Sequence, residues 1–178
     1  MQQTTRKVLN RRIDADVIAQ TDTATANLGA AAPMALAVVA KAMTTLGENE
    51  VPCEEEDKMF ALATPAVRGY LMQIPEFTKS DYVEMKFLTG PARRIVRWAG
   101  FNWIFHPNLT GVGTASEKCY FYHRDAIGSA FDSGEGLNTA IGYDDEQDYS
   151  FARASSFTGA KLLQQSGIVQ FLHDASAI

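Results

Sequence analysis

The sequence predicts an α+β fold, and three observations predict it. Leu36, Val39, Met43 and Leu46 recur at steps of three and four, which puts them on one stripe of a helix. Met59-Phe60-Ala61-Leu62 is an apolar run without alternation, the pattern of a strand covered on both faces. From residue 95 onward, short runs rich in aromatic and β-branched residues are separated by Gly, Pro, Asn and Ser, the pattern of strands and turns.

Taken in order, residues 4–28 read as a helix with a thin apolar edge of Leu9, Ile13, Val17 and Ala24. Arg12 and Asp16 form an i,i+4 pair on its polar side. Thr21, Thr23 and Thr25 are weak helix formers, so this segment needs a neighbour to stay ordered. Gly29 and Pro33 separate it from the helix of residues 33–46, with Pro33 in the first turn and Gly47 at the end. A polar, acidic loop leads to the strand at 59–62. Thr64-Pro65 then reads as N-cap and first-turn proline of a second helix, with Val67, Tyr70, Leu71 and Ile74 on its apolar side. The result is a helix–strand–helix unit with one shared core and nothing reactive in it. Burying each large apolar side chain contributes roughly 1.5–3 kcal/mol, enough to hold such a unit together.

Residues 75–88 read as irregular, with a short turn at 80–85 capped by Ser80, and Gly90-Pro91 as punctuation. Residues 95–98 and 101–105 read as two strands around Ala99-Gly100, with Phe101, Trp103 and Phe105 on one face and Asn102, Ile104 and His106 on the other. Residues 107–116 form a loop, 118–122 a short strand, and 125–131 a short helix or turn. Ser133-Gly134-Glu135-Gly136 breaks the chain, and strands at 137–143, 149–163 and 167–173 complete it, the middle one long enough to bend.

Composition narrows the function. A chain of 178 residues suits one domain or two small lobes, and 46% hydrophobic with 21% charged residues are ordinary globular values. A net charge of −5 argues against a surface built to wrap phosphates. Two cysteines, Cys53 and Cys119, are too few for a disulfide scaffold and read as reduced thiols. No apolar run is long enough for a membrane span, and the first residues lack the apolar core of a secretion signal, so the chain is expected to stay in the cell that makes it.

Residues that can carry chemistry are few and scattered. His106, His123 and His173 have no metal-ligand spacing and read as sheet-edge histidines. Cys119 and His123 make a nucleophile pair on paper, but Tyr120, Phe121 and Tyr122 between them read as packing. Asp144, Asp145, Glu146 and Asp148 alternate like calcium ligands, yet the sixth position is Tyr149 where such a loop needs glycine, so a solvated turn is expected. Glu54-Glu55-Glu56-Asp57 reads as a solvated loop of the kind that also lines oligomer axes. Gly111-Val112-Gly113 is only a fragment of a dinucleotide fingerprint, and neither G-x-S-x-G nor a Walker A sequence occurs. Catalytic, cofactor-binding and metal residues are therefore each expected to be none. Trp98, Trp103 and Phe105 are either the core of a thin sheet lobe or anchors against another subunit.

The order of these elements resembles the tailed-bacteriophage major capsid protein of the Hong Kong 97-like fold. Residues 4–28, with Arg11-Arg12-Ile13-Asp14-Ala15-Asp16, are similar to the C-terminal part of that fold's spine helix. Residues 32–46 and 58–70, joined through Phe60-Ala61-Leu62-Ala63-Thr64-Pro65, resemble the axial helix–strand–helix. The run from Trp98 through Phe105 to Pro107-Asn108, the run from Cys119 to Gly128, and residues 141–153 and 167–170 resemble the strands that follow, up to the last peripheral ones.

The resemblance implies a spine helix at 1–31, an axial domain at 32–116, and a return to peripheral strands at 117–178. It implies no enzymatic activity and no cofactor. The expected role is a structural subunit that assembles with copies of itself, as hexamers and pentamers, into an icosahedral DNA container, located in the virion and assembled in the bacterial cytoplasm. DNA is enclosed without sequence-specific binding, and no membrane is involved. The family's N-terminal arm, extended loop and first part of the spine helix have no counterpart in this sequence. A separate N-terminal portion or a scaffolding protein is accordingly expected as a partner. The competing expectations are a small intracellular enzyme with a site near His106 and His123, and an α+β module that binds another protein.

Overall fold

The computed structural model describes residues 2–55, 57–75, 95–131 and 138–176. Along them run α1 (Gln2–Thr21), α2 (Leu36–Glu48), β1 (Met59–Ala63), α3 (Pro65–Leu71), β2 (Ile95–Trp98) and β3 (Phe101–Phe105). These are followed by β4 (Glu117–His123), β5 (Ile127–Phe131), β6 (Asn138–Asp144), β7 (Tyr149–Ser155), β8 (Thr158–Leu162) and β9 (Ile168–His173). The fold is α+β, as expected. The turn expected at 80–85, the Gly90-Pro91 punctuation and the break at 133–136 lie outside the described residues.

β1 is the middle of a five-stranded sheet ordered β2-β3-β1-β4-β9, parallel to β3 and antiparallel to β4. Its side chains alternate between two cores. Met59, Ala61 and Ala63 join Val39, Leu46, Val67, Leu71, Trp103 and Phe121 under α2 and α3. Leu62 faces the other way, beside Ile18 of α1, Tyr120, Leu162 and Ile168. Phe60, on that same side, stacks on Tyr122 at 5.8 Å. The unbroken apolar run thus reflects a strand covered twice, by different layers. Trp98 and Trp103 are buried in the first core, and the Trp103 indole N–H donates to the Trp98 carbonyl at 3.1 Å. Of the two readings of the aromatic hairpin, core is the one observed.

Several boundaries differ from expectation. The first helix ends at Thr21, not at residue 28. The Thr21 and Thr23 hydroxyls donate back to the carbonyls of Ile18 and Gln20, at 2.8 and 2.7 Å, the local competition that stops helices at threonine. Residues 26–32 instead run extended along the outer edge of β9, exchanging backbone hydrogen bonds with Gln170, Leu172 and Asp174. That edge is thereby sealed. α2 starts at Leu36, so Pro33 precedes the helix, and Leu36 is 41% exposed while Ala42 takes its place on the buried stripe. Thr64 makes no side-chain cap for α3, because its hydroxyl is bonded to Glu117. Residues 127–131, expected as helix or turn, form a strand that pairs with β8. The long strand expected at 149–163 breaks at Ser156-Phe157 into β7, which pairs with β6, and β8, on which α1 packs.

The turn joining β2 to β3 tests the backbone reading. Ala99 and Gly100 both have positive φ, 50° and 77°, as a two-residue type I′ hairpin requires. Alanine in the left-handed region costs roughly 1–2 kcal/mol. Ala99→Gly should therefore raise the unfolding temperature by about 2–4 °C. Gly100→Ala should lower it, since the added Cβ runs into the Met43 methyl. Thermal melts of the two variants check both signs.

Candidate functional site

The residues singled out for chemistry are held apart by the sheet. His106 follows β3, where its backbone N–H donates to Ala63 at 2.9 Å. Its Nδ1 accepts from the Asn108 N–H at 3.2 Å, and its Nε2 lies 3.5 Å from the Asp14 carboxylate on α1. His123 is buried at the end of β4, in register with Met59 at the opposite end of β1. Five steps along the strand separate the two positions by about 17 Å. The site near His106 and His123 expected of an enzyme does not assemble.

Cys119 and His123 share a face of β4 but sit four residues apart, and the thiol contacts Thr64 rather than the imidazole. Burial pushes the Cys119 thiol up to about 12, so it stays protonated and unreactive. The acidic run at 144–148 closes the β6–β7 hairpin, and the Asp144 carboxylate accepts the N–H groups of Glu146 and Gln147 at 3.0 and 3.3 Å. Among the described residues no group of three or more His, Cys, Asp or Glu side chains could hold a metal ion. In the other acidic loop, Glu55 pairs with Lys58 at 2.7 Å and Asp57 with Arg97 at 2.6 Å.

Two carboxylates that sequence reasoning missed organise the interior. Asp22, just past α1, accepts from the hydroxyls of Tyr120 and of Thr110, the latter at 2.6 Å, and pairs with Lys118 at 3.4 Å. The Tyr120 phenol is raised above its ordinary range, first by burial and then by that carboxylate. Glu117, fully buried at the start of β4, accepts from the Thr64 hydroxyl and from the Gly113 N–H at 2.7 Å. Both acids occupy their oxygens with structural donors, which ties α1, the 107–116 loop and α3 to one sheet. Neither residue type stands out in its local sequence.

His173 lies across the β4–β9 ladder from Glu117 and is fully buried, edge-on to Tyr70 at 4.6 Å. Among the described residues neither ring nitrogen has a partner at full hydrogen-bond geometry, although the Ala32 backbone lies close enough to act on it. Burial lowers its pKa, against the upward pull of the Glu117 carboxylate, the Ala32 backbone and Asp174.

What remains open is surface. An open depression of about 370 Å³ on the outer side of the β5–β8 pair is lined by Gly128, Ala130, Gly159, Lys161 and Leu163, with one charge and no acid–base pair. Beyond it, β6 and β7 form a two-stranded ribbon on which Ile141, Tyr143, Tyr149 and Phe151 are all exposed, Ile141 at 80%. Exposed apolar clusters of this kind mark association surfaces.

The sequence matches the family model described as phage capsid protein over residues 4–175. The chain belongs to this family. No curated protein sequence matches it. Among solved structures, one from Mycobacterium phage Che8 superposes with a TM-score of 0.72 at 16% identity, covering 94% of this chain and 61% of the other. The holo-SrpI encapsulin complex from Synechococcus elongatus PCC 7942 gives 0.61 at 13% identity, with coverages of 98% and 65%. The capsid of cyanophage P-SCSP1u gives 0.54 at 12%, with 89% and 59%. The fold of this phage capsid protein is thus the α+β Hong Kong 97-like one, and the chain spans 59–65% of the length of these three structures.

The buried imidazole predicts a pH dependence. Unfolded, His173 binds a proton below its ordinary pKa of about 6.5, whereas the fold holds it neutral to lower pH. Its contribution is intact above 6.5 and is lost as pH falls below that value. Urea unfolding of the wild type should show stability declining from pH 7 to pH 5, and His173→Phe should decline less over the same window.

Proposed function

We propose that this chain is a structural subunit of a phage capsid shell, a rigid plate that joins copies of itself edge to edge into an icosahedral container for DNA. The match to the phage capsid family over residues 4–175 carries this reading. The fold shared with phage and encapsulin shells and the exposed apolar ribbon support it. A shell plate requires repeated complementary edges rather than a reaction centre. The net charge of −5 suits a wall that encloses DNA without reading it.

In this reading, 1–31 is the spine segment, its helix ending at Thr21, and 32–116 is the axial domain. The return at 117–178 supplies β4 and β9 to the five-stranded sheet, and the strands between them, β5 to β8, are the peripheral ones of this reading. Beyond copies of itself, the subunit's partners are a scaffolding protein or a polypeptide supplying further shell contacts. Assembly takes place in the bacterial cytoplasm, and the mature location is the virion.

Negative-stain microscopy and size-exclusion chromatography of the purified chain test this. Rings, sheets or closed shells at raised protein concentration are the expected result. A monomer at every concentration and salt, alone and with phage structural proteins added, would overturn it.

A further inference from the structure

We infer that the β6–β7 ribbon of one subunit lies along the outer face of α1 of a second copy, its acidic turn against the basic first half of that helix. The inference deepens the shell-subunit reading above and rests on it.

The ribbon needs a cover. Its register places Ile141 and Ala152 as one pair, with Tyr143 beside them, on one face. Phe151 lies over Gly142 on the other, next to Tyr149 at 6.3 Å. All four large side chains are exposed. A lone two-stranded hairpin is marginal in water, and this one buries little of its own apolar surface.

Charge and shape select the occupant. At the ribbon's tip Asp144 and Asp148 are engaged, by turn N–H groups and by the Tyr143 hydroxyl. Asp145 and Glu146 are exposed and have no ion pair among the described residues. On α1, Val8, Arg11, Arg12, Ala15 and Ala19 follow steps of three and four along one exposed face, beside Lys7. Lys7 and Arg11 likewise have no ion pair among the described residues, whereas Arg12 is held by Asp16 at 3.3 Å. The small residues leave room for aromatic side chains, and the unpaired cations match the unpaired acids. Lengths agree as well. Seven residues of strand reach about 23 Å, and the helix face from Lys7 to Ala19 measures about 18 Å. Ribbon and helix face are different patches, so the contact is head-to-tail and each copy offers both halves, which propagates into rings or filaments.

The test reverses charge on each side separately. Asp145→Lys with Glu146→Lys, and Lys7→Glu with Arg11→Glu, should each lower the assembled fraction at least about tenfold in low-salt sedimentation velocity. The quadruple variant should restore it. Thermal melts of all three variants verify that they fold, since none of the four side chains has an ion pair among the described residues. If the folded double variants assemble like wild type, or the quadruple variant fails to recover, the ribbon–helix contact is wrong while the shell reading stands. If the wild type itself never assembles, both fall.

Discussion

A strand whose two faces must both be covered requires two packing layers, and β1 imposes that requirement here. Its odd-numbered residues bury against α2 and α3, and its even-numbered ones face Tyr120, Tyr122 and the layer of α1. Each buried large side chain contributes roughly 1.5–3 kcal/mol, so losing one layer would expose half the centre of the molecule. The two missed carboxylates serve the same constraint. Asp22 fastens the end of α1 to β4, and Glu117 fastens β4 to the start of α3. Sheet, helices and loop are thereby tied together.

The treatment of edges separates what is finished in the subunit from what is left for association. The outer edge of β9 is sealed by residues 26–32, of which 26–28 are expected from sequence to close a helix. The β6–β7 ribbon has no such cover among the described residues, and Ile141, Tyr143, Tyr149 and Phe151 are exposed on it. Burial in the two cores and exposure on the ribbon suit a shell subunit, in which surface left open in one copy is closed by symmetry.

Much of the fold was legible because periodicity reports burial directly. The stripe of α2, the double coverage of β1 and the one-sided aromatics of β3 all follow from which residues are apolar and at what spacing. Misreadings fell where tertiary partners outcompeted local signals. Thr64 looks like a helix cap in sequence, yet its hydroxyl goes to Glu117, fifty-three residues away. Residues 22–28 carry helix-compatible spacing, but from Ala26 onward the β9 edge supplies backbone partners that a helix would forgo. Of the chemistry, the scatter of His106, His123 and His173 was visible in their spacing. The roles of Asp22 and Glu117 were not, because a lone acid in a polar stretch gives no hint that it will be enclosed. The ribbon was read as strands, but its exposure depends on what does not pack against it, which one chain's sequence does not encode.

The account's central claim is a rigid doubly covered sheet carrying one uncovered ribbon that is completed by another copy. Hydrogen–deuterium exchange, read by mass spectrometry on dissociated and assembled protein, tests this most directly. Amides of β1 and β4 should exchange slowest in both states, and those of β6 and β7 should exchange fast in the dissociated chain and become protected on assembly. Equal exchange across β1, β4, β6 and β7 in the dissociated chain, or a ribbon that stays unprotected in assembled particles, would contradict it.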